Sequence, residues 1–162
     1  MSSRVRAASK RAGENAEAAV IQTVPELESV PDADDVHVDA RVAELLSPST
    51  ELPFVGMCVL EVGILVEIKS VMAVYGEAQT RGRFYLRRGQ HEHLLAEGGV
   101  YLFAVCKPRP KRPLIAMKVV PATAVDELVC SWIDGGDGRP NYAQIRWSRV
   151  FDVATVEGAD RR

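Results

Sequence analysis

Cysteine is scarce in this chain, and nothing pairs it. Cys58, Cys106 and Cys130 are odd in number and widely spaced, with no Cys-x-x-Cys. That argues against a disulfide framework and a structural zinc site, and it fits a reducing cytoplasm. No apolar run is long enough to span a bilayer, so no membrane partner is expected. The start, Met1-Ser2-Ser3-Arg4-Val5-Arg6, carries positive charge, but no apolar stretch follows as a secretory signal requires. Positive charge is not in excess either: the formal net charge is −2 over 162 residues. A nucleic-acid partner would have to be met by a local basic surface. There is no internal repeat. Gly135-Gly136-Asp137-Gly138 lacks the Lys-Ser/Thr that completes a phosphate loop and reads as a turn. His91 and His93 are two residues apart, so on a helix they do not share a face and cannot readily share an ion. They read as surface or phosphate-contacting residues. Trp132 and Trp147 read as core or edge anchors, and Cys106 and Cys130 as small buried hydrophobes.

What is present is enough for one core. Residues 1–8 read as an arm, 9–152 as a single domain and 153–162 as a tail. Helix formers dominate from Ser9 to Val24, with Glu14 and Glu17 among them, and Pro25 closes the segment. Val38, Val42, Leu45 and Leu46 have helical spacing, although Val36, Val38, Ala40 and Val42 also alternate; a helix is the favoured reading. Leu52 to Val62 and Ile64 to Val74 read as two strands turning at Gly63. A short strand at Arg83-Phe84-Tyr85-Leu86 and a helix from Gln90 to Glu97 follow, the helix stopped by Gly98-Gly99. Val100 to Cys106 and Leu114 to Val120 are strands on either side of a basic, proline-rich loop. Thr123 is placed to cap a helix from Ala124 to Trp132, and Tyr142 to Ile145 adds a last strand. Helices on both sides of a mixed sheet give an α/β chain in three layers.

The most informative segment is Val66-Glu67-Ile68-Lys69-Ser70. Strand side chains alternate, so Glu67 and Lys69 share one face while Val66 and Ile68 share the other. Charge beside a core must be paired or must hold something. A carboxylate that binds a divalent ion, next to a lysine that positions or deprotonates the attacking water, suits phosphodiester hydrolysis. A cross-strand ion pair is the plainer alternative. Arg81, Arg83, Arg87 and Arg88 form one basic cluster, and Lys107, Arg109, Lys111 and Arg112 a second. Such clusters fit phosphate contacts, or simply solvated loops.

A helix bearing Glu, a hairpin ending in Glu-x-Lys, a helix and a strand, in that order over residues 9–120, resemble the PD-(D/E)XK nuclease superfamily. Archaeal Holliday-junction resolvases and restriction endonucleases belong to that superfamily. The stretches Arg83-Phe84-Tyr85-Leu86-Arg87-Arg88-Gly89-Gln90 and Val100-Tyr101-Leu102-Phe103-Ala104-Val105 are similar to those of small archaeal or viral members. The resemblance implies a three-layer α/β/α, restriction-endonuclease-like core around a mixed central sheet. It also implies a DNA endonuclease using Mg²⁺ or Mn²⁺, with a structure-specific substrate and a homodimer among the expectations. In that reading Glu67, Lys69 and Gln90 are catalytic, Glu67 is the first metal ligand, and Arg83, Arg87 and Arg88 bind DNA. The family also places an Asp on the preceding strand, and counting back puts that position at Cys58, a poor ligand for a hard ion. Three readings stay open. Glu61 replaces the Asp; Glu17 or Glu14 carries more of the metal binding; or the fold is a catalytically degenerate DNA-binding module.

Overall fold

The computed structural model describes residues 19–22, 24, 26–30, 40–42, 61–75, 80–107 and 114–160. In chain order these form a helical turn at residues 19–22, then β1 (Leu27–Ser29), β2 (Ala40–Val42), β3 (Leu65–Met72), β4 (Val74–Tyr75), β5 (Thr80–Arg81) and β6 (Arg83–Arg87). Helix α1 (Arg88–Glu97), β7 (Val100–Cys106), β8 (Leu114–Pro121), α2 (Ala122–Leu128), β9 (Tyr142–Arg146), a 3₁₀ turn at Trp147–Arg149 and α3 (Val153–Asp160) complete them. Among the described residues no helix is long and apolar enough to cross a membrane.

The main sheet has the order β1-β2-β3-β7-β8. β3 and β7 run parallel from Val66↔Val100 to Met72↔Cys106, while the other pairs are antiparallel. Parallel neighbours need a crossover, and α1 lies in the connection between them. The sheet is therefore mixed, as expected from the sequence.

Two apolar layers lie on its faces. Val66, Ile68, Leu102, Ala104 and Met117 meet Val20 and Val24, the described end of the first helical segment. On the other face Val71, Tyr101, Phe103 and Val105 meet Leu94 of α1, Val125 of α2 and Val156 of α3. This is the α/β/α arrangement. Strand alternation then fixes the direction of the charged pair. Since Val66 and Ile68 belong to the first layer, Glu67 and Lys69 point to the second, toward α1.

β6 and β9 form a separate two-stranded ribbon. Its inner residues Phe84, Leu86, Ala143 and Ile145 are buried, and the residues between them are exposed or half-buried. Phe84 packs against Phe103 with ring centroids 4.5 Å apart. The ribbon thus covers part of the layer into which Glu67 and Lys69 point.

Four readings differ from the sequence expectation. The helix favoured around Val38–Leu46 gives way to strand β2 at Ala40–Val42. The alternation noted there prevails because β3 takes an antiparallel partner at Ala40↔Val66. The C-terminal helix starts at Ala122 after Pro121, with no side-chain cap from Thr123, and ends at Leu128. The stretch read as a tail contains α3, whose Val156 is fully buried. Cys106 is buried, but Cys130 is exposed, with Sγ 3.7 Å from Arg149 Nη1. The strand expected over Leu52–Val62 lies outside the described residues except for Glu61 and Val62. These belong to the approach to a turn at Gly63, where φ is +91°.

Candidate active site

β3 supplies two charged groups and α1 a third polar one. Glu67 is 2 % exposed, and its carboxylate Oε1 lies 3.2 Å from the Lys69 ammonium. Lys69 Nζ also donates to Gln90 Oε1 at 3.2 Å. The sequence placed these three residues in one site, and the structure brings them together.

Local backbone explains how Gln90 gets there. β6 ends in extended geometry at Arg87, and the chain turns into α1 at Arg88, which puts Gln90 in the first helical turn. At the other end Gly98 is left-handed, with φ +66°. Gly98 N–H donates to Leu95 O, and Gly99 N–H donates to Leu94 O at 2.7 Å. These are the two bonds of a Schellman termination. Gly99 also allows a close approach. A Cβ there would meet Leu94 Cδ2 at 2.5 Å and Leu65 O at 3.1 Å. A side chain at this position would push α1 away from the start of β3 and so disturb the height of Gln90 over Lys69.

A buried polar chain lies beside this cluster. Tyr101 is the β7 residue in register with Glu67. Its hydroxyl is 2.9 Å from His91 Nδ1, and His91 Nε2 is 2.8 Å from Asp126 Oδ1. A carboxylate can only accept, so Nε2 carries the hydrogen, and in the neutral imidazole Nδ1 is then the acceptor for the tyrosine O–H. Burial, and then the nearby charges of Glu67 and Asp126, raise the Tyr101 pKa well above its ordinary value of 10.0. The hydroxyl stays a donor at neutral pH. Trp132 packs 5.4 Å from His91, and Arg88 lies over Trp132 at 5.9 Å. The sequence pattern points to a surface or phosphate-contacting role for His91, whereas it is 1 % exposed. Its partners come from β7 and α2, so no local pattern could have revealed them.

Glu67 and Gln90 offer hard oxygen donors, the type that suits Mg²⁺ or Mn²⁺ rather than a thiolate-seeking ion. Among the described residues no group of three or more His, Cys, Asp or Glu gathers to hold a metal. Glu61 is exposed, ahead of the Gly63 turn. Glu17, Glu14 and Cys58 lie outside the described residues. Val20 and Val24, which follow Glu17 in the chain, pack on the sheet face opposite Glu67 and Lys69. Arg83 and Arg87 are exposed on β6, while Arg88 at the start of α1 pairs with Glu92 at 3.1 Å.

A buried Glu-x-Lys on a strand, faced by a helix that enters the parallel neighbouring strand, defines a nuclease-type α/β/α core. The PD-(D/E)XK nuclease superfamily domain model matches residues 2–152, and the chain belongs to that superfamily. No curated protein and no solved structure shows a significant match to it.

Proposed function

We propose that this protein is a divalent-metal-dependent DNA endonuclease. The observation that carries the proposal is the Glu67–Lys69–Gln90 cluster, a buried carboxylate and an ammonium held by a helical amide. Membership in a nuclease superfamily supports it.

An ammonium has three N–H donors. Glu67 and Gln90 occupy two acceptor directions at Lys69, which leaves one for the attacking water or a phosphoryl oxygen. Lys69 then orients the nucleophile and steadies the negative charge that develops on the phosphorus oxygens. Gln90 fixes the ammonium, and Glu67 balances its charge. A bound Mg²⁺ or Mn²⁺ would supply Lewis-acid polarisation of the phosphate and a more acidic water.

Glu67 would hold that ion together with a second carboxylate, for which Glu61 and Glu17 are the candidates that the sequence offers.

The test is cleavage of labelled linear, nicked and four-way-junction DNA with Mg²⁺ and Mn²⁺, using wild type, Lys69→Met and Glu67→Gln. The proposal requires metal-dependent cutting that both substitutions abolish. Clean wild-type protein that cuts none of the substrates would refute it.

A further inference from the structure

The outer face of the β6–β9 ribbon has a composition that folding does not explain. Arg83, Tyr85 and Arg87 alternate along β6, and Tyr142, Gln144 and Arg146 along β9. Arg83 is paired directly with Arg146. Like charges in directly opposed positions destabilise a strand pair. No acidic residue shares this face, and among the described residues none of the three arginines has an ion-pair partner. Between the arginines, Tyr85 and Tyr142 stack at 4.8 Å and 18°, yet Tyr85 remains 42 % exposed. Two flat apolar surfaces thus stand in a row with three unneutralised cations.

We infer that this ribbon face binds a DNA strand, with arginines on successive phosphates and the exposed face of Tyr85 stacking on an unpaired base. The inference rests on the reading of DNA as substrate and adds where and in what form it is held. Charge complementarity selects a polyanion, and aromatic stacking between phosphate contacts is how single strands are gripped without sequence preference. A duplex keeps its bases stacked inside and leaves Tyr85 nothing to stack on. The ribbon is also continuous with the candidate active site. Arg87 ends β6 immediately before α1, whose Gln90 holds Lys69. A strand lying along the ribbon toward Arg87 is led to the reacting groups, so the preferred substrate is a single-stranded or splayed segment.

The experiment is fluorescence anisotropy with labelled single-stranded and duplex DNA of one sequence, without divalent metal, as a function of salt. The full chain is compared with Arg83→Ala/Arg146→Ala, Tyr85→Ala and Tyr85→Phe, each checked for native circular dichroism. Wild type should bind the single strand more tightly than the duplex. The double arginine variant should bind at least about tenfold more weakly, with a salt slope shallower by about 1.4, two contacts at about 0.7 each. Tyr85→Ala should lose about fivefold to a hundredfold on single strands, while Tyr85→Phe keeps its affinity. Wild-type affinity in both the arginine variant and Tyr85→Ala, or tighter duplex binding by wild type, overturns the inference. Because no metal is present, the result is independent of cutting. Binding without cleavage refutes the nuclease reading alone, and cleavage with unaltered variants refutes the ribbon alone.

Discussion

The Tyr101 hydroxyl is hydrogen-bonded to His91 Nδ1 across 2.9 Å, and both side chains are sealed from solvent. This bond ties the strand beside Glu67 to the helix that carries Gln90. It makes the site one unit: β3 bears the charges, β7 backs them, and α1 is anchored to β7 one residue after Gln90.

Tyr101→Phe removes the hydroxyl and takes from a buried imidazole nitrogen its hydrogen-bond partner. The expected loss is about 1–3 kcal/mol in urea unfolding at pH 7. The folded state also raises the tyrosine pKa, so it resists ionisation that the unfolded chain accepts at 10.0. Stability from this term is fully present below pH 10.0 and falls as pH rises beyond it. The phenylalanine variant should lack that part of the alkaline decline, read as the difference between the two unfolding curves from pH 8 to pH 11.

The Glu67–Lys69 pair gives a double-mutant cycle. Lys69→Met removes the ammonium 3.2 Å from a buried carboxylate and should cost about 3 kcal/mol. Glu67→Gln neutralises that carboxylate at nearly constant shape. Adding it to Lys69→Met should recover most of the loss, measured by urea midpoint. Simple additivity of the two single changes would show that the pair has no coupling.

Metal binding should be visible without catalysis. Millimolar Mg²⁺ or Mn²⁺ should raise the thermal midpoint of wild type by ligand linkage, and a chelator should reverse it. Glu67→Gln should show little or no rise. Equal shifts in both proteins would place the ion elsewhere.

Gly99→Ala introduces a Cβ against Leu94 Cδ2 and Leu65 O. It should destabilise by about 1–3 kcal/mol, the usual cost of overpacking. Under the proposed nuclease function this variant should also lose DNA cleavage through the displaced α1. Gly98→Ala, strained by its positive φ but with no Cβ contact, provides the comparison.

The sequence alone determined the elements in which local pattern and tertiary demand agree. The run from Val100 to Cys106 is buried at every position, and it reads as a core strand because no polar residue interrupts it. Glu67 and Lys69 share a face because strand periodicity leaves no other choice, and Gln90 opens a helix that Gly98-Gly99 must end. Only the tertiary structure decided the rest. Ala40–Val42 carries both helical and alternating patterns, and pairing with β3 resolved them. β1, three residues with one buried, is too short for any periodicity to show. His91 was legible only as a polar residue between Gln90 and Glu92, since its burial depends on Tyr101 and Asp126 from other elements. The basic, aromatic ribbon face arises from the register Arg83↔Arg146, between segments far apart in the chain. Local sequence fixes which way a side chain points along its own element; long-range register fixes what it meets there.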